Sequence, residues 1–348
     1  QSASNIIKKI INEIEEKIEF IFASTSIIFN PDKINCLNVS GYKKLNGSKV
    51  SKDDVTYILN DIKSEISSKE KNFSLVHLLN SSFSIDSDNL ENLPLGLFGE
   101  FYNQNMTFFL VEKNVLKNIK LLINRCGLNI DRIVLRPFVE GINLLSKNII
   151  NKNFVSIRLG EKRSNLYLFK ERSFIFSQEF NFGVDIIIKD ISKLCSLKYE
   201  EVEVMLNKLN LEKISDNNEN FLDKKYFINS PFREVKEKLV IEVIKSRFEE
   251  LFEIFYEKNI NLAYFRKTNQ DIYICIENLK YLKNFKKIVE KIIPNNFKLV
   301  FSNEVDTEKN IACLGAAELL GKGWEKEAIP IIQTKKSIIS RFLSDLFN

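Results

Sequence analysis

Histidine is nearly missing from this chain: His77 is the only one in 348 residues. One imidazole argues against histidine-based metal centres and leaves a Ser-His-Asp triad without support. Cysteine is sparse and scattered, at Cys36, Cys126, Cys195, Cys275 and Cys313, with no CxxC or CxH spacing. Neither a zinc site nor a disulfide framework follows from that pattern, and the odd number fits a reducing cytoplasm. No apolar run reaches the ~18 residues of a membrane span, and no signal-peptide pattern is visible. Charge of one sign does not dominate. Lys+Arg number 51 and Asp+Glu 46, a net +5, too weak a bias to argue for nucleic acid.

What is present is ordinary for a soluble protein: 44% hydrophobic and 28% charged residues. The length gives room for two or three units, each with its own core. The abundance of Ile, Asn and Lys fits an AT-rich coding genome.

Periodicity supplies the elements. Asn5–Phe22 reads as a helix with Ile6, Ile7, Ile10, Ile14 and Ile18 on one face. Strands are expected at 25–30 and 34–40. Ser51, Asp53 and Asp54 form a helix start, because Ser51 can cap and carboxylates suit the positive helix end; that helix runs to about Ser68. Strands at 74–79, 82–86 and 107–112 follow, then a helix over 115–126 stopped by Gly127. After a strand at 130–135 and a helix at 138–145, a meander is expected at 154–159, 166–169 and 173–180. Helices at 184–195, 200–209 and 233–256 lead to a strand at 272–276, a helix at 282–292, a strand at 298–301 and a helix at 311–320. The alternation restarts near residue 153, which suggests two α/β lobes.

The C-terminal end is amphipathic. On a helical wheel Ile338, Phe342, Leu346, Ile339, Leu343 and Phe347 fill one half; Ser340, Arg341, Ser344, Asp345 and Asn348 fill the other. Lys335 and Lys336 precede it and can reach toward anionic headgroups. Gly321, Gly323 and Pro330 mark a linker ahead of it. The pattern alone leaves two readings open: a membrane-surface helix, or one packed on its own domain or on a partner. On a membrane each large apolar side chain gains up to ~1.5–3 kcal/mol, so a single copy binds reversibly and firm attachment needs many copies.

Three blocks carry a family resemblance. The first is Val76-His77, Ile85-Asp86, Leu93-Pro94-Leu95-Gly96 and Gly99. The second is Asn118-Ile119, then Arg125-Cys126-Gly127-Leu128-Asn129-Ile130 and Ile133-Val134-Leu135. The third is the helix Glu242 to Leu251, with Arg247, Glu249 and Glu250. Gly41, the run Val50 to Val55, and Gly183 with Ile187, Asp190 and Ile191 are weaker additions. In this order they resemble the actin-like cell division proteins FtsA, and the final amphipathic helix stands where that family carries its membrane-targeting helix.

The resemblance implies an actin-like (ribonuclease H-like) two-lobe α/β fold. Residues 1–19 would be part of the first lobe, 20–113 an inserted FtsA-type subdomain, and 114–152 the rest of that lobe. Residues 153–190 and 266–322 would form the second lobe, with 191–265 a small inserted subdomain. Residues 323–334 would be a linker and 335–348 the membrane-targeting helix. The family's N-terminal strand and first phosphate loop would precede Gln1. The implied function is an adaptor that tethers FtsZ filaments to the cytoplasmic face of the bacterial inner membrane at the division site, self-associates and meets other division proteins. Arg247, Glu249 and Glu250 would help receive the FtsZ C-terminal tail; read as residues alone they are helix-surface charge pairs.

ATP with Mg is the cofactor the resemblance implies, and here the sequence departs from the family. A phosphate loop needs glycines, so that backbone N–H groups approach phosphate, and an Asp to organise metal and water. The family's Asp-Ile-Gly-Gly-Gly-Thr falls on Arg158-Leu159-Gly160-Glu161-Lys162-Arg163. Its adenosine-side Gly-Gly falls on Glu277-Asn278, and the Glu and Lys of its adenine-flanking helix on Glu203 and Leu206. Gly160, Lys162, Arg163, Gly183 and Glu203 therefore make a degenerate nucleotide site, and efficient hydrolysis is not expected. The bland reading of the Arg/Lys cluster, an exposed hairpin face, is favoured. His77 reads as structural. Trp324 is either a residue at the membrane interface or a cap on the domain. A competing reading is a pilus-assembly protein resembling PilM, which binds a membrane partner's peptide; the amphipathic end argues against it. A sugar or acetate kinase is disfavoured by the altered phosphate loop.

Overall fold

The computed structural model describes residues 3–209, 220–267, 270–277, 279–293, 297–301 and 310–328. The chain divides into two compact units. The first comprises residues 1–146, 170–176 and 310–348; the second comprises 147–169 and 177–309.

In the first unit, α1 (Ala3–Ile18) keeps Ile6, Ile10, Ile14 and Ile18 substantially exposed. Strand β1 (Ser24–Phe29) pairs in parallel with β6 (Asn129–Leu135). Between them in sequence lies an antiparallel sheet of order β2-β5-β3-β4, made of β2 (Asn35–Lys44), β3 (Phe73–Ile85), β4 (Asp88–Leu90) and β5 (Phe101–Glu112). Helix α2 (Lys52–Lys69) packs on this sheet, and its start follows from the sequence. Ser51 accepts from the Asp54 amide at 3.2 Å while Asp54 accepts from the Ser51 amide at 2.8 Å. Lys43 adds an ion pair to Asp54 at 2.7 Å. Gly41 admits the helix: a Cβ there would stand 2.3 Å from Ile58 Cγ2 and 2.7 Å from Ile62 Cδ1. The core beneath α2 includes Ile58, Phe83, Tyr102, Met106 and Phe108.

Strand β3 corrects the sequence reading. Two strands were expected over 74–86, and one strand runs through both. Its register against β5 shifts between Leu75 and His77 and again between Asn80 and Ser82. Each shift is a bulge that re-aims the strand without ending it. After α3 (Lys113–Arg125), Gly127 takes φ +88°, the left-handed stop expected of it. Helix α4 (Arg136–Ser146) is buried from Pro137 to Leu145. Helix α9 (Ile311–Lys322) crosses it closely, since a Cβ on Gly315 would lie 1.8 Å from the Val139 carbonyl oxygen.

The second unit is built on a mixed sheet of order β11-β10-β7-β8-β9. Strands β7 (Phe154–Leu159), β10 (Asp271–Ile276) and β11 (Lys298–Phe301) run parallel, and β8 (Ser164–Lys170) turns back antiparallel to β7. The residues of β7 are all buried, as a central strand covered on both faces requires. Strand β9 (Ser173–Phe180) is followed by α5 (Asp185–Cys195), α6 (Tyr199–Lys208), α7 (Glu237–Phe252) and α8 (Leu279–Ile292). The helix expected over 233–256 starts later, at Glu237, and ends in a π-helical turn at Glu253–Glu257.

Candidate functional site

Two places in the second unit carry the residues singled out by the sequence. The first is the β7–β8 hairpin. Gly160 and Gly183 do come together: a Cβ on Gly183 would stand 2.2 Å from the Gly160 carbonyl oxygen and 2.5 Å from that of Glu161. The close approach serves the chain itself. The Val184 and Asp185 amides, at the start of α5, donate to the Gly160 and Glu161 carbonyls at 3.0 and 2.9 Å. The Gly160 amide donates to Arg163 at 3.0 Å. The Gly160 amide and the first amides of α5 are thus engaged by carbonyl oxygens of the loop.

The charges point the same way. Arg158 is not part of an exposed hairpin face, as the sequence suggested; it is buried and paired with Glu277 at 3.2 Å. Lys162 is exposed, and Arg163, half-exposed, pairs with Glu179 at 3.3 Å. Tyr199 hydrogen-bonds Asp185, and burial together with the carboxylates of Asp185, Glu203 and Glu161 pushes its phenol up. Burial would raise the Asp185 carboxyl, but Lys189, Tyr199 and Lys162 hold it below the usual range. The gathered carboxylates of Glu161, Asp185 and Glu203 do not fit a nucleotide's phosphates. Among the described residues no group of three His, Cys, Asp or Glu could hold a metal ion.

Glu203 was expected to flank adenine, but the carboxylate with the strongest structural role on α6 is Glu201, which sequence reasoning missed. It is buried and accepts from the Lys198 amide at 2.8 Å, the Asn229 amide and the Ser230 hydroxyl. Burial alone would raise its pKa; these donors hold it down at about 2. The signal for it was the acidic residue in the first turn of α6.

The second place is a cleft of about 310 Å³ lined by Asp190, Glu242, Val243, Ser246, Arg247 and Glu250. Helix α7 turns Ile244 and Phe248 inward, so Glu242, Ser246, Glu249 and Glu250 face out. Arg247 bridges to α5, its Nε donating to Asp190 at 2.8 Å, and also pairs with Glu250. Glu249 lies 3.9 Å from Lys245. The Arg247–Glu250 contact is the i,i+3 pair the bland reading expected; the Asp190 contact goes beyond it. With Asp190 and Glu250 on the Arg247 guanidinium and Glu242 lining the same cleft, the site can take a basic or amide group of a peptide and offer Arg247 to one of its acceptors. Lys335, Lys336, Ile338, Ile339, Arg341, Phe342, Leu343, Leu346 and Phe347, the expected membrane residues, lie outside the described residues.

The fold defines a class first: a mixed α/β chain in two units. Solved structures similar to it are found by comparison. These include MreB 5 of Spiroplasma citri bound to AMPPNP (12% identity, TM-score 0.43, covering 68% of each chain) and the archaeal actin homologue Ta0583 (16%, 0.36, 57% of each). It is similar also to a PilM-PilN type IV pilus biogenesis complex (10%, 0.45, 84% of this chain and 75% of that one). No protein-family model matches the chain.

In sequence its likeness is to the cell division protein FtsA. It is 23% identical over 262 residues to that of Buchnera aphidicola subsp. Schizaphis graminum, covering 75% of this chain and 62% of the relative. It is 22% identical over 322 residues to that of Buchnera aphidicola subsp. Baizongia pistaciae, covering 89% and 75%. Against FtsA of Escherichia coli K12 the identity is 18% over 264 residues, covering 75% and 62%. The chain spans about three fifths of the length of the first two curated relatives it matches.

Proposed function

We propose that this chain is a cell-division adaptor of the FtsA kind, one that tethers FtsZ filaments to the cytoplasmic face of the bacterial inner membrane at the division site. The observation that carries the reading is the sequence likeness to FtsA proteins across most of the chain. The cleft around Arg247 supports it, because a mixed-charge groove between two helices suits a short peptide such as the FtsZ C-terminal tail. In this reading Arg247, Glu249 and Glu250 receive the tail, residues 335–348 hold the anionic membrane surface, and the subdomain within 20–113 serves self-association and contacts with other division proteins. The rest of the first lobe is 114–152, and the second lobe is 153–190 with 266–322, the small subdomain at 191–265 being inserted in it. Among the described residues no helix is long and apolar enough to cross a membrane, and a peripheral, reversible attachment is compatible with that.

The chemistry assigned to the chain is recognition rather than catalysis. ATP hydrolysis has no part in it, since the loop at Gly160 lacks the glycines and the Asp that phosphate and metal need, with Arg158 standing in the place of the Asp. Two measurements test the reading. Vesicles rich in anionic lipid should sediment the full chain and not the chain lacking residues 334–348; equal capture of both, or of neither, overturns the tether. A labelled FtsZ-tail peptide should bind the full chain, and Arg247→Glu should weaken it at least tenfold, about 1.4 kcal/mol; unchanged binding overturns the docking role.

A further inference from the structure

Gly323 to Ala328, expected as a free linker, has no hydrophobic period, yet almost every residue in it is held. Gly323 takes φ +76°, a conformation open chiefly to glycine, and turns the chain off the end of α9. The Trp324 indole N–H donates to the Arg172 carbonyl oxygen at 3.0 Å, and the Arg172 guanidinium lies 4.8 Å from the Trp324 ring centroid. The same guanidinium pairs with Glu325 at 2.6 Å. Lys326 is buried, its ammonium donating to the Glu91 carbonyl oxygen at 2.8 Å. The Asn80 amide donates to the Lys326 carbonyl at 2.7 Å, and the Ala328 amide to that of Leu78 at 2.9 Å. Glu327 faces Leu79 in a β-bridge, pairs with Arg132 of β6, and stands 3.5 Å from His77 Nδ1. Ala328 ends the segment inside the core of the four-stranded sheet.

We propose that Trp324–Ala328 is a strap that clasps the C-terminal part of the chain to β3 and sets how far that part reaches. Docked, Ala328 is fixed in the core of the four-stranded sheet, so whatever follows it in sequence is tied there. Released, Gly323 through Ala328 would add up to ~20 Å of extended chain. The bolt is a three-part cluster under the strap. Glu327 accepts from Arg132, and His77 completes the site from below, its Nε2 accepting from the Leu135 amide at 3.0 Å. With Nε2 accepting, the neutral ring carries its proton on Nδ1, which makes no hydrogen bond and stands 3.5 Å from the Glu327 carboxylate. Four separate parts of the first unit therefore hold the strap: the turn at Arg172, β6 at Arg132, β3, and Glu91 just after β4. The clasp stands by itself; that the reach it sets is a distance to a membrane rests on the tether reading above.

Trp324 is the chain's only tryptophan, so its fluorescence reports on the strap directly. In the full chain, without vesicles, acrylamide should quench Trp324 several-fold less than N-acetyl-tryptophanamide. Glu327→Ala and Arg172→Ala should each raise quenching toward that reference while the far-ultraviolet circular dichroism stays unchanged. Free-indole quenching in the unmodified chain overturns the strap. Should either variant lose its fold, hydrogen exchange on the unmodified chain decides: the Asn80 and Ala328 amides should be protected, and exchange at the unprotected rate overturns the proposal. Energy transfer from a dye on β4 to a labelled anionic vesicle then reads the reach. It should fall on strap release, and an unchanged value overturns control of reach. Failure of vesicle capture with a shielded Trp324 sinks the tether and leaves the clasp standing. A free Trp324 sinks the clasp whatever the vesicles do.

Discussion

Two arginine–glutamate pairs, Arg132–Glu327 in the first unit and Arg158–Glu277 in the second, share out burial in opposite ways. In the first unit Glu327 is the better-covered partner: its side chain is 18% exposed against 31% for Arg132, and a wholly buried His77 lies on its other side. In the second, Arg158 is 3% exposed while Glu277 is 42% exposed. The first cluster fastens Trp324–Ala328 to a sheet. The second closes a loop where the FtsA resemblance implies a phosphate site. A shared carboxylate that cannot turn to water is the stronger fastener, because losing it strands two partners at once.

Glu327→Ala should therefore have the largest effect, costing about 3 kcal/mol through the exposed desolvation penalty of Arg132 and His77; chemical denaturation of the full chain measures it. Glu277→Ala should cost less, about 2 kcal/mol, since it takes a carboxylate from one buried guanidinium, Arg158, rather than from two partners. Equal losses would break the contrast. Arg247→Ala should cost least, on the order of 0.5–1 kcal/mol, because it sits in a part-exposed surface network. Its stability loss and its loss of peptide binding would then separate cleanly.

Acid should open the two units in order. Burial lowers the pKa of His77, outweighing the pull of Glu327, and Arg132 adds to the lowering. The folded state thus favours the neutral ring, and the stability it contributes is present above the ordinary value of 6.5 and lost as pH falls below it. The groups facing the ring are Glu327 from the strap, Arg132 and the Leu135 amide from β6, and the Phe138 ring of α4. Burial would raise the Glu327 carboxyl, but His77 and Arg132 hold it below the usual range, so its contribution is lost only at lower pH. In the second unit Glu201 keeps its contribution above 4.5 and loses it as pH falls toward about 2. Trp324 quenching should rise before any spectral change from the α6 region; the reverse order would contradict this arrangement.

Much of the fold was legible in the sequence, for local reasons. The cap at Ser51 and the stop at Gly127 are written in residues within a few positions of each helix end. The β7–β9 meander follows from apolar periodicity. Strand β3 was misread because Asn80, Ser81 and Ser82 look like a turn; bulging against β5 keeps them in one strand. The closure at Gly160 was half legible. The missing glycines could be read, but the engagement of the Val184 and Asp185 amides could not.

The sequence by itself determined the order of elements, the likeness to FtsA and the altered phosphate loop, because helices, strands and motifs are set by neighbours along the chain. Only the tertiary structure decided that Arg247 belongs with Asp190, that Arg158 is buried, and that Trp324–Ala328 is a docked strap. The physical reason is that such a strap has no period of its own. Its energy comes from Arg132, Arg172 and His77, residues far away in the chain, and no local pattern can announce a partner brought near only by folding.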